Sequence, residues 1–196
     1  MKRIKEWMIP MMFVFAACGG GAPVPKPHGY LRTDFPEKNY LLFDSLDYPY
    51  SFNYPDYAGI VPDRQSYRYE PYWINLRMPA YNATVHISYK RIRKNLPELL
   101  DDTYSFVYRH VIKADEIAET AFRNDEKKTY GFLYEIGGDV ASSVQFYLTD
   151  STRHFLRGSL YFMSAPNADS LAPSIAFLTA DIQHLMQTLE WKDSRQ

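Results

Sequence analysis

Cys18 is the residue whose type and setting specify the most chemistry. It follows Phe15-Ala16-Ala17, an apolar run beginning at Met8, and a basic start with Lys2, Arg3 and Lys5. This is the layout of a bacterial lipobox, in which small side chains admit the scissile bond to a peptidase and the cysteine sulfur carries a diacylglyceryl group. Residues 1–17 are therefore expected to be a signal peptide, with Cys18 the acylated first residue of the mature chain and a membrane its partner. Met8 to Ala17 covers about half of the roughly 20 residues needed to span a bilayer, which argues against a retained transmembrane helix.

Other reactive side chains form weaker patterns. Ser142-Ser143 follows the glycine turn Gly137-Gly138-Asp139 and can be drawn as a nucleophile with His154 as base, although a turn between strands explains the same residues. Asp150-Ser151-Thr152-Arg153-His154 is a polar cluster at a strand junction, where side-chain oxygens can cap backbone donors. A recognition surface that uses Asp150, Arg153 and His154 is the alternative there. The histidines at 28, 86, 110, 154 and 184 are scattered singly and lack metal-ligand spacing. Neither a Gly-x-Ser-x-Gly elbow, a phosphate loop, a His-Glu-x-x-His motif nor a cysteine pair is present, so no catalytic residue, metal or cofactor is implied. A second candidate surface lies between Tyr48 and Tyr72, where seven tyrosines and several prolines supply contact area at low ordering cost. Tyr57, Tyr67 and Tyr69 represent it.

The composition narrows the function classes. The 196 residues carry a formal net charge of −1, so no global field draws the chain toward nucleic acid. The dense positive run of the mature chain is Lys90-Arg91-Ile92-Arg93-Lys94, a solvated strand end or a contact for anionic lipid head groups. With Cys18 acylated no thiol remains, and the fold must stand on packing without a disulfide.

The elements that must position these groups can be read in order. Gly19-Gly20-Gly21 and Ala22 to Pro27 form a flexible, then stiff spacer that reaches about 25 Å, so residues 18–28 separate the lipid from a single domain at 29–196. Two short extended segments lie within Gly29 to Phe43, and Tyr50 to Tyr54 alternates as a half-buried strand. Residues 55–71, with three prolines, read as an irregular excursion. Trp73 to Met78 and Thr84 to Tyr89 form a hairpin, with His86 facing away from Val85 and Ile87. A helix is expected from Asn95, capped reciprocally with Glu98 and burying Leu96, Leu100, Tyr104, Val107 and Val111. His110 beside that stripe reads as structural. Ile117 to Phe122 is a possible short strand, and 128–136, 141–148 and 154–163 form a meander. A second helix capped near Asn167 buries Ile175, Leu178, Ile182, Leu185, Met186 and Leu189, with Asp181, Gln183 and Gln187 on its outer face. The architecture is α+β, an antiparallel sheet of five to seven strands with two main helices, and the element order resembles a PsbP-like arrangement.

Longer blocks carry a family resemblance. Pro25 to Tyr30, Phe35 to Lys38, His86 to Tyr89, Tyr108 to Ala114, Tyr130-Gly131, and Gly137-Gly138 with Ala141 to Ser143 are similar to the gliding motility lipoprotein GldD family of Bacteroidota. So are Thr149 to Gly158 and Asn167 to Pro173. The resemblance implies a cell-envelope lipoprotein needed for gliding and associated with other proteins of the type IX secretion and motility machinery. It implies no enzyme activity, so a non-catalytic assembly role stands against the alternative of a periplasmic ligand-binding module or hydrolase around Ser143, Asp150 and His154. Surface-exported lipoproteins of this phylum carry acidic residues after the cysteine; Gly19-Gly20-Gly21 there implies a periplasm-facing domain.

Overall fold

The computed structural model describes residues 34–63, 70–109, 114–164 and 167–192. In chain order the elements are β1 (Tyr40–Phe43), β2 (Tyr50–Pro55), β3 (Gly59–Pro62), β4 (Ile74–Met78), β5 (Ala83–Arg91), α1 (Leu96–Tyr108) and β6 (Ile117–Asn124). They continue through β7 (Thr129–Ile136), β8 (Val144–Thr149), β9 (His154–Phe162), α2 (Ala168–Thr188) and β10 (Glu190–Trp191). The fold is α+β, with two helices and antiparallel sheets, as the alternation predicts. The main sheet has seven strands in the order β3-β4-β5-β9-β8-β7-β6, and a second sheet has three, β1-β2-β10.

Period-two alternation decides which sheet face is dry. Ala83, Val85, Ile87 and Tyr89 of β5 are buried on one face, and Ile74, Leu76 and Met78 of β4 join them. These residues pack with Phe146, Leu148, Leu156 and Leu160 against Tyr50 and Phe52 of β2 and against Leu178, Ile182, Leu185 and Met186 of α2. On one rung Gly158 lies between Ile87 and Phe146. A Cβ there would sit 2.1 Å from Phe146 Cε1, so the ring occupies the space that any larger residue would need.

The expected hairpin forms β4 and β5, joined by a 3₁₀ turn at Pro79–Tyr81 and closed by Asn82 in the left-handed region (φ 49°). The meander is β7, β8 and β9, and Asn167 caps α2 by accepting the Ser170 N–H at 3.0 Å. Several expectations are corrected. The 55–71 excursion contains β3, an edge strand on β4 whose last residue, Pro62, lies where proline is tolerated. β6 extends through Asn124 as the opposite edge of the sheet. Asn95 makes no side-chain cap; its Oδ1 accepts the Arg93 N–H instead, at 2.8 Å. The buried face of α1 is Leu99, Thr103 and Val107, whereas Tyr104 is 51% exposed. Thr103 can take a buried place because its hydroxyl donates to the Leu99 carbonyl.

Asp181 is the largest departure. Expected on the outer face of α2, it is buried at 4% exposure. Its carboxylate accepts from Lys38 Nζ at 2.6 Å, Tyr40 Oη at 2.9 Å and Tyr57 Oη. Lys38 also lies 3.8 Å over the Phe177 ring and donates to the Phe177 carbonyl. A buried carboxylate needs this saturation, and three donors from the N-terminal segment provide it.

Candidate functional site

The second face of the seven-stranded sheet is divided. Over β6, β7 and β8 it is covered by α1, where Val107 packs with Tyr134, Ile136 and Val140. Over β4, β5 and β9 the described residues leave it partly open. The strand registers align Asn75, His86, Ser159, Gln145, Tyr134 and Glu119 as one cross-strand row, one residue per strand from β4 to β6. A parallel row places Ser88 opposite Arg157 and Arg157 opposite Tyr147. Asn75, Ser159 and Gln145 are buried although none belongs to the apolar core.

Two adjoining cavities occupy the open half. One of about 450 Å³ is lined by Trp73, His86, Ser88, Arg157 and Ser159, with Phe106 of α1 among its walls. The other, of about 670 Å³, continues past His86 to Arg77, Thr84 and Tyr161, and both share Asp63. His86 Nδ1–H donates to Asn75 Oδ1 at 2.6 Å, and its ring meets Tyr161 edge-on. Burial lowers the His86 pKa; Arg77 works in the same direction and Asp63 against it. The Arg157 guanidinium lies 4.1 Å over Phe106 and donates from Nη2 to Gln145 Oε1 at 2.9 Å. Its Nε is buried without an acceptor among the described residues. Burial pulls its pKa down, with Tyr161 and Asp102 opposing.

The residues singled out in the sequence lie elsewhere. Tyr57 donates to Asp181 and packs against Tyr81 and Phe177, so its hydroxyl is committed within the fold. Desolvation first, then Asp181, pushes its pKa far above the usual tyrosine value. Asp150 builds a turn: Oδ1 accepts the backbone N–H groups of Thr152, Arg153 and His154 at 3.0, 2.7 and 2.8 Å. Burial alone would raise its pKa, but these donors win and hold it below the ordinary carboxylate value. Arg153 reaches Asp150 at 3.9 Å. His154 is buried on the core side, bonded through Nδ1 to Tyr89 Oη at 2.8 Å and stacked on Trp191.

The nucleophile reading of Ser143 is overturned. Ser143 directly precedes β8, whereas His154 begins β9 beside the far end of β8, where Thr149 pairs with Phe155. The strand alone separates them by about 16 Å, far beyond the ~3 Å that proton transfer needs. Cys18, Tyr67, Tyr69, His28 and His110 lie outside the described residues. Sequence reasoning missed the open cleft because its side chains occupy the polar phase of strands read for their apolar phase. The available signal was Arg157 and Ser159 alternating with apolar residues in a strand flanked on both sides by others.

Fold and cleft together define an α+β domain with a ligand-sized opening on one sheet face, its polar groups set among apolar walls. Residues 20–191 match the family model described as gliding motility lipoprotein GldD, and the chain belongs to that family. It is thereby a gliding motility lipoprotein, a family whose name indicates membrane anchoring in the envelope. No helix among the described residues is long and apolar enough to cross a membrane. No curated protein matches the chain. Among solved structures, it is similar to the solution structure of cyanobacterial PsbP (CyanoP) from Synechocystis sp. PCC 6803. The identity is 13% and the TM-score 0.49, with 85% of this chain and 99% of that chain covered.

Proposed function

We propose that the protein is a lipid-tethered, non-catalytic interaction factor of the gliding and type IX secretion machinery. In this reading residues 1–17 are removed, acylated Cys18 anchors the chain, residues 18–28 space it from the bilayer, and residues 29–196 act as one domain facing the periplasm. Family membership supports the link to gliding, and the lipobox supports the anchor. The observation that carries the interaction role is the open half of the main sheet. Strands β4, β5 and β9 present Asn75, His86, Arg157 and Ser159 in a cavity of about 450 Å³, where a fully structural sheet would be covered or evenly solvated. The same cavity favours a second reading, a periplasmic ligand-binding module.

Affinity capture of the acylated protein from its native envelope, read by mass spectrometry, tests the proposal. Secretion or motility components are expected from the wild type and should be lost from Cys18→Ala. Arg77→Glu tests the cleft, and Tyr67→Glu with Tyr69→Glu tests the tyrosine-rich segment as the alternative surface. Recovery of nothing from folded, acylated protein would sink the assembly role and leave the ligand-binding module.

A further inference from the structure

The geometry points to a carboxylate as the ligand of the cleft, with Arg157 as its counter-charge. The inference rests on the reading of this cleft as the binding surface and names the chemistry it recognises. A guanidinium offers five N–H donors in a rigid fork. Among the described residues only one acceptor is supplied, Gln145 Oε1 at 2.9 Å, and no carboxylate forms an ion pair with Arg157. Desolvation opposes its charge more than Asp102 and Tyr161, which favour it from a distance, support it. A partly buried cation with no directly paired carboxylate is costly unless something else supplies one.

The surroundings prepare the group rather than neutralise it. Phe106 stacks on the guanidinium face, so what remains for a ligand is the edge, the geometry that suits a planar carboxylate. Gln145 fixes the rotation of the fork. Ser88, Ser159 and His86 share the cavity and bring further hydrogen-bonding groups, while Trp73 gives it an apolar wall. Arg77 on the adjoining cavity adds positive charge, and among the described residues Asp63 is the carboxylate that lines these cavities. At about 450 Å³ the space exceeds a bare inorganic ion and fits an acid that carries an apolar group. The carboxylate can belong to a free organic acid or to a peptide, and the two share the contact with Arg157.

The test is an NMR titration of the full mature chain in detergent, following the side-chain Nε–H resonance of Arg157 and the backbone amides of residues 86–88 and 157–161. The probes are benzoate, its neutral isostere benzamide, inorganic phosphate, and a short peptide ending in phenylalanine with a free or an amidated C-terminus. Saturable shifts with benzoate but not with benzamide or phosphate are expected, weakened about tenfold or more in Arg157→Gln and partly restored in Arg157→Lys. Tighter binding of the free-acid peptide than of benzoate assigns the carboxylate to a peptide terminus; the reverse assigns it to a small acid. Equal responses to benzoate and benzamide, or to phosphate, would overturn the inference, as would no saturable shift. If Arg157→Gln fails to fold, the contrast between benzoate and benzamide on the wild type decides alone. A failed titration with successful envelope capture removes the carboxylate and keeps the interaction role; the opposite pair of results does the reverse.

Discussion

The Tyr57 hydroxyl donates to the carboxylate of Asp181, a residue 124 positions further along the chain. The bond fastens the loop after β2 to the middle of α2, and Lys38 and Tyr40 fasten the segment leading into β1 to the same carboxylate. One buried acid thus holds three side chains from two stretches of the N-terminal region.

Removing that acid should be expensive. Asp181→Ala leaves Lys38, Tyr40 and Tyr57 without their shared acceptor and is expected to lower stability by about 2–4 kcal/mol. Tyr57→Phe removes one donor and should cost about 1 kcal/mol. Because both substitutions act on one network, the double variant should lose less than the sum. Urea unfolding of the four proteins, wild type included, measures the coupling; strict additivity would show that the network is not cooperative.

Gly158→Ala tests the core from another direction. The added methyl would enter the space of the Phe146 ring, and β9 is too central in the sheet to move aside cheaply. A loss of about 1–3 kcal/mol is expected, with the denaturant midpoint falling and the slope unchanged. An unchanged midpoint would mean that the ring rotates away without cost.

The Asp150 turn separates charge from shape. Asp150→Ala removes the acceptor of three backbone N–H groups and should destabilise by about 1–3 kcal/mol, whereas Asp150→Asn keeps a carbonyl oxygen and should cost less. The depressed Asp150 pKa also has a sign. The folded chain holds this proton less tightly than the unfolded chain, so the carboxylate contributes stability above about pH 3.8 and loses it as pH falls through the folded value. Thermal unfolding across pH 2–5 should therefore be flatter in Asp150→Asn than in the wild type.

His86 gives a second pH window. Its pKa is lowered, so between the folded value and 6.5 the unfolded chain binds more protons. The contribution is present above about pH 6.5 and is lost as the solution is acidified below it. His86→Gln should flatten the slope of stability between pH 5 and pH 7, as measured by denaturant midpoints in a buffer series. An identical slope in the variant would mean that His86 is protonated as readily in the fold as outside it.

The strands were legible where alternation was strict, as in Ala83 to Tyr89, because a side-chain period of two leaves no other way to bury every apolar residue. The hairpin, the meander and the Asn167 cap follow from patterns within a few residues. What was hidden depends on distance in sequence. Nothing near Asp181 announces Lys38, Tyr40 and Tyr57, so an acid on a helix reads as solvated. The α1 stripe was misjudged because Thr103 hides its polarity in its own helix and Tyr104 stacks on Tyr108 outside the core. β3 escaped notice in a proline-rich stretch because its pairing with β4 is the only thing that makes it a strand. The cleft was invisible for a related reason: Arg157 and His86 become neighbours only once β5 and β9, about 70 residues apart, are in register.

The pairing of β2 with β10 has a consequence for the order in which the protein is made. Ser51 finds its partner at Glu190, and α2, which covers β2, is also among the last elements synthesised. A chain that emerges from its N-terminus holds Tyr50 and Phe52 ready long before the residues that bury them exist. The meander and the β1–β2 pair can close early from local contacts, but β10 and the covering helix α2 come last, leaving the aromatic face of β2 uncovered for most of synthesis. Until α2 is made, Tyr50 and Phe52 hold apolar surface that the finished fold buries.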